Sequence, residues 1–145
     1  MSEPTSAVWY ESDPPRLVQE RDAMQARFQQ FRLRRSGRTL YWDGHLTSNS
    51  GETYRIVIRY PDNFPDLPPK VFPIEPDILT LHNEATRELK HQFSDGSLCL
   101  FHPHDRFFER RSTAVTVIAA AATWFAAYEY WLYSEKTIWP GREAD

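Results

Sequence analysis

The sequence predicts an α+β fold: one helix, then a four-stranded antiparallel meander, then a loop that carries the chemistry, then a long core helix. Three observations predict it. Residues after Asp13 repeat their apolar positions at helical spacing, residues 33–60 read as strands separated by turn residues, and Ala114–Leu132 is a nearly uncharged run of helical length. With 145 residues the chain is expected to form a single domain, 1–145, large enough to bury a real core. Eleven prolines beside 41% apolar and 14% aromatic residues describe stiff loops around that core and argue against a disordered chain.

Residues 1–12 are polar and are expected to be loose. Asp13 reads as an N-cap, with Pro14 and Pro15 in the first turn, where missing N–H groups cost nothing. The helix is expected to reach about Gln30. Leu17, Met24, Phe28 and Phe31 fall near one face, and Arg16, Glu20, Asp22 and Arg27 fall on the others. Leu33–Thr39, Leu40–Thr47 and Thr53–Tyr60 have strand character, with turns at Ser36-Gly37 and Ser48–Glu52. The last strand alternates Tyr54, Ile56, Ile58 and Tyr60 against Arg55, Val57 and Arg59. Five prolines in Tyr60–Pro73 forbid a helix and leave room for a short edge strand near Lys70–Phe72, with Phe64 and Phe72 packing on the core. Residues 74–89 are irregular, with a helical turn around Glu84–Leu89.

Ser112 or Thr113 caps the long apolar helix, which places Ile118, Phe125 and Leu132 on one stripe. At about the ~20 residues a bilayer span needs, this run invites a membrane reading. Its alanine content and its Thr116, Thr123 and Glu129 favour a buried core helix. Residues 136–145 form a tail whose Trp139-Pro140-Gly141 is most simply an aromatic clamp packed back on the core. A net charge of -3 and a pI near 5.9 give no overall field to attract nucleic acid or anionic lipid, so neither is expected as a partner. A lone cysteine and the absence of a basic-then-apolar leader point to a reducing cytoplasm.

The chemistry concentrates in KHQFSDGSLCLFHPHDRFF, residues 90–108. It holds the only cysteine, Cys99, with His91 before it and His102, His104 and Asp105 after it, and Asp95-Gly96 marks a tight turn. A thiolate is a good nucleophile, and histidines or an aspartate can move its proton. A buried, inert cysteine is the plain alternative. Cys99, His102, His104 and His91 also make a weak zinc pattern, because structural zinc sites generally use paired cysteines. Arg32, Arg34, Arg35 and Arg38 read first as a solvated strand edge; without interleaved aromatics they argue poorly for nucleic acid.

In chain order, YRIVIRYP, the Pro-Pro-Lys-Val crossing, DGSLCL and a capped helix resemble the ubiquitin-conjugating enzymes over roughly residues 14–133. The resemblance implies the fold given above, with an active-site cysteine loop. Cys99 would carry an acyl group as a thioester and pass it to an amine. It implies an activating-enzyme-like partner that consumes the ATP, and that partner would meet the first helix and the arginines after it. A ubiquitin-like protein or a nucleotidyltransferase C-terminus would be the acyl donor, a protein amine the acceptor, and no cofactor is needed on this chain. Where that family has His-Pro-Asn, the ungapped counterpart is Leu89-Lys90-His91, so His91 stands at the asparagine position. Instead of two further helices, about a dozen residues follow the core helix. Both departures resemble the bacterial branch found in anti-phage operons. His91 is the candidate oxyanion donor or base, with Asp105 and His102 as secondary helpers. The competing readings are a non-catalytic binding module of the same fold and a small zinc-binding structural protein. Trp124, Tyr130 and Trp131 are expected to be exposed, as a partner surface.

Overall fold

Asp13 ends one helix and begins the next. The computed structural model describes residues 7–76, 78, 91–101 and 107–140. In it, the Asp13 N–H closes helix α1 (Trp9–Ser12) on the Trp9 carbonyl, and the Asp13 carboxylate accepts from Arg16 N at 3.4 Å to open helix α2 (Pro14–Arg27). The expectation that residues 1–12 are loose fails for α1. Four residues carry no readable period, yet Trp9 is buried because its ring meets Tyr60 at 4.9 Å and Phe64 at 4.7 Å.

α2 stops three residues before the expected Gln30. Phe28 turns out of the helix (φ -139, ψ 65), and Phe31 enters the core over Gly44. Any Cβ at Gly44 would lie 2.6 Å from the Phe31 ring, so the strand needs glycine there. Strands β1 (Arg32–Ser36), β2 (Thr39–Thr47), β3 (Thr53–Arg59) and β4 (Lys70–Glu75) pair antiparallel in the order β1-β2-β3-β4. The first strand is shorter than expected because the chain reverses at Gly37 (φ 59). Register sets Trp42 against Ile58 and Leu46 against Tyr54, so one face of the meander is apolar. Phe64 joins the core. Phe72 does not: Val71 and Pro73 take the inner face of β4, and Phe72 lies on the outer face under the Arg59 guanidinium.

Helix α3 (Ala114–Tyr133) lies across that apolar face, with Thr113 as its cap. Ala114 and Ala121 let it approach closely, and Phe125 stacks on Tyr54 at 4.1 Å. Two expectations along it are corrected. Leu132 is 42% exposed, on an open surface groove that it lines with Tyr54 and Pro76, and Trp124 is buried at 5% because it turns toward the loop before Cys99. Tyr130 is exposed as expected, and Trp131 is half-buried. Residues 79–90, with the expected turn at Glu84–Leu89, lie outside the described residues. Among the described residues no helix is long and apolar enough to cross a membrane.

A buried charge joins these layers. Arg16 and Glu20, assigned to the polar faces of their helix by periodicity, are both buried. The Glu20 Oε1 accepts from the Tyr60 hydroxyl at 2.7 Å and from the Ala114 N–H at 2.9 Å, while Tyr60 accepts from the Trp42 indole at 2.8 Å. Arg16 donates to the carbonyls of Arg110 and Ser112 and faces Glu20 Oε2 at 3.4 Å. These partners satisfy the turn before α3 and the first N–H of that helix, and they put a carboxylate at its positive end. Burial raises the Glu20 pKa; the hydrogen bonds from Tyr60 and Ala114 and the charge of Arg16 offset only part of that.

Removing one partner of such a pair strands the other. Glu20→Ala is expected to cost ~3–5 kcal/mol in urea unfolding, and a loss below about 1 kcal/mol would contradict the account. The raised folded-state pKa also fixes a sign: Glu20's titration favours folding below its ordinary 4.5, and that contribution is lost as pH rises through the folded value. Glu20→Gln should therefore remove a fall in stability that the wild type shows as pH rises above 4.5, measured by urea midpoints across that range.

Candidate functional site

Residues 91–99 form a tight ribbon hung from the edge of the sheet. Gln92 pairs with Leu98 in antiparallel register; Phe93 N–H donates to Ser97 O at 2.8 Å and Cys99 N–H to His91 O at 2.9 Å. The reversal is the expected Asp95-Gly96 turn, with Gly96 at φ 89. Leu98 N–H donates to Val71 O at 2.9 Å, which fastens the ribbon to β4. Gln92 and Leu98 are buried and face the core. The same register sets His91 directly opposite Cys99 on the other, half-buried face, where opposed residues have Cβ atoms about 4.5–5.5 Å apart.

Asp95 holds the turn. Its Oδ1 accepts from Ser97 N at 2.9 Å and Ser97 Oγ at 2.6 Å, and its Oδ2 pairs with Lys70 at 2.9 Å. Burial alone would raise its pKa, but the Ser97 and Lys70 bonds outweigh it and bring the carboxyl to about 2. The carboxylate is therefore ionised at any working pH. Inside the turn, the Gln92 side-chain amide donates to Gly96 O at 3.0 Å.

Cys99 is half-buried, and burial pushes its thiol above the ordinary value. Its chain neighbours Leu98 and Leu100 line, with Phe101, an apolar groove of about 440 Å³ against the proline crossing (Pro61, Leu67, Pro68). An aromatic series, Trp9, Tyr60, Phe64, Phe108 and Phe101, links the core to this flank through ring contacts of 4.7–6.4 Å. His91 is held in place. Its carbonyl accepts from Trp124 Nε1 at 2.9 Å as well as from Cys99 N, and its imidazole stacks on Trp139 at 3.9 Å and 7°. The tail thus packs back as an aromatic clamp.

Of the four candidates from the sequence, Cys99 and His91 come together across the ribbon. His102 and Asp105 lie outside the described residues, as does His104. Among the described residues no group of three or more His, Cys, Asp or Glu could hold a metal ion. Sequence reasoning missed Ser97, Gln92, Lys70 and Trp124. The Asp-x-Ser spacing at 95–97 is a readable signal for the turn bond, whereas Trp124 offers none, because its indole acts through tertiary placement alone.

A thiol with a raised pKa holds its proton to higher pH, so less thiolate is present at neutral pH than in an unperturbed cysteine. Alkylation of Cys99 by iodoacetamide should rise with pH to an inflection above 9.0. A plateau reached by neutral pH would refute this environment.

A sequence model of the family described as Type II CBASS E2 protein matches residues 20–145. No curated protein and no solved structure matched the chain. The match takes in α2 from Glu20 onward, the whole meander, the Cys99 ribbon, α3 and the tail; the chain belongs to the Type II CBASS E2 family, ubiquitin-conjugating-like proteins of CBASS anti-phage systems.

Proposed function

We propose that this chain is a cysteine transferase: it carries an acyl group as a thioester on Cys99 and passes it to an amine, in the cytoplasm, as part of anti-phage defence. The observation that carries the reading is the ribbon register, which puts a histidine directly opposite the chain's only cysteine within a family of conjugating-like proteins. In the first step the Cys99 thiolate attacks the activated C-terminal carbonyl of a donor protein; the donor's former leaving group departs and the thiol proton goes to a base. In the second, a lysine amine attacks the thioester carbonyl. The tetrahedral oxyanion collapses, an amide forms, and Cys99 leaves as the thiolate.

His91 suits two roles in that sequence, as a hydrogen-bond donor to the oxyanion and as acceptor of the amine proton. His102 and Asp105 are secondary candidates for the same proton. The raised thiol pKa bears on the order of events. A more basic thiolate is a poorer leaving group, so the thioester is slow to break until a group beside it stabilises the intermediate. The partners of this reaction are an activating-enzyme-like protein, a donor C-terminus from a ubiquitin-like protein or a nucleotidyltransferase, and a protein amine; the chain itself uses no cofactor.

Incubation with the activating enzyme, ATP and the donor, followed by a non-reducing gel, tests the reading. A thiol-sensitive adduct that disappears in Cys99→Ala is expected, and an adduct that persists in that variant would sink the mechanism. His91→Ala should slow discharge of the adduct by about 10²-fold. A non-catalytic binding module would form a complex with the donor but no adduct, and a zinc protein would purify with stoichiometric metal.

A further inference from the structure

We infer that Trp139 is the positioning residue for the reactive face of the site: it locks the His91 imidazole in the plane from which that ring meets the thioester on Cys99. The inference rests on the His91 role proposed above. His91 is gripped at two points. The Trp124 indole N–H holds its backbone carbonyl at 2.9 Å, and the Trp139 ring lies parallel to its imidazole, 3.9 Å away. The two tryptophans brace each other edge-on at 5.2 Å, and Trp131 approaches Trp139 at 6.4 Å. The backbone carbonyl is already held by the Cys99 N–H and the Trp124 indole N–H. Stacking on the ring adds nothing to those hydrogen bonds, and it restricts the side-chain torsions of the imidazole.

The tail is built to deliver that ring. After α3 the chain reverses through Glu135 and Lys136, both in the left-handed region (φ 60 and 63), which non-glycine residues adopt only when the surroundings require it. The reversal is tied by Glu135 N–H to Leu132 O at 3.1 Å, Lys136 N–H to Trp131 O at 2.8 Å, and Ile138 N–H to Ser134 Oγ at 3.0 Å. Lys136 sits over the Trp131 ring. Two strained residues and three ties bring Trp139 onto His91.

The test uses the full chain acylated on Cys99 by the 2-mercaptoethanesulfonate thioester of acetylglycine, which needs no activating enzyme. Cys99 displaces mercaptoethanesulfonate as its thiolate, and free lysine then discharges the acyl group as an amide. Trp139→Ala should slow discharge about tenfold or more, and Trp139→Phe, which keeps a stacking ring, should restore it to within about threefold. In a His91→Ala background, Trp139→Ala should change nothing further, because the clamp acts only through that ring. The His91 ring protons, shifted upfield by the indole in the wild type, should move downfield in Trp139→Ala. Equal slowing by Trp139→Ala with and without His91 would overturn the inference in favour of a general structural role. So would unchanged discharge in Trp139→Ala when His91→Ala is slow. If His91→Ala discharges at the wild-type rate although the His91 ring protons of the unsubstituted chain are shifted upfield, the His91 role fails and the clamp's catalytic purpose falls with it, a pattern distinct from either of the others.

Discussion

The Glu20 carboxylate is the constraint on which the layers depend. It touches the sheet through Tyr60, the core helix through the Ala114 N–H, and its own helix through Arg16. Apolar packing alone would let α2 and α3 slide along the sheet, because hydrophobic contact has no direction. A buried carboxylate with two short hydrogen bonds has direction, and a displacement that breaks them leaves a charge without partners. Arg16 extends the constraint to the carbonyls of Arg110 and Ser112, so the segment leading into α3 is fixed by the same hub. One end of the loop that follows Cys99 is thereby tied to the helix at the other end of the sequence.

The sheet sets the other end. Lys70 and Val71, the first residues of β4, reach the ribbon through the Asp95 ion pair and the Leu98 hydrogen bond. The stiff proline crossing ends at these residues, so it fixes where the ribbon can hang. The ribbon in turn is short enough that its register determines which side chain faces Cys99. The same attachment leaves Cys99 half-buried between Leu98 and Leu100, which line the apolar groove. In the proposed reaction the site gives up thiolate at rest and gains a thioester that waits for its acceptor.

Much of this was legible in the residues. Asp13, Pro14 and Pro15 marked a helix start, the alternation from Tyr54 to Ile58 marked a half-buried strand, and Asp95-Gly96 marked the turn before Cys99. Each signal is local, arising from backbone geometry within a few residues. What escaped was decided at a distance. A periodicity argument counts Arg16 and Glu20 as polar and sends them to solvent; only the approach of Tyr60 and Ala114, 40 and 94 positions from Glu20, makes burial tolerable. Trp9 and Trp124 escaped for the same reason. The position of His91 was read from its offset to Cys99, but that the two share a face follows from the Gln92–Leu98 pairing, which no spacing rule supplies.

The outer strand of the meander has a consequence of its own. β1 pairs on one side with β2, and three of its five residues, Arg32, Arg34 and Arg35, are exposed arginines. An outer strand presents a row of backbone donors and acceptors on which a second copy of the same strand could dock, extending sheet into sheet. Here a twofold docking of β1 on itself would crowd two sets of guanidinium groups across the new seam, and like charges set opposite each other on adjacent strands repel. Asp43 neutralises only part of this charge, because it is shared between Arg34 and Arg55. The like charge of these arginines therefore disfavours such strand-on-strand pairing.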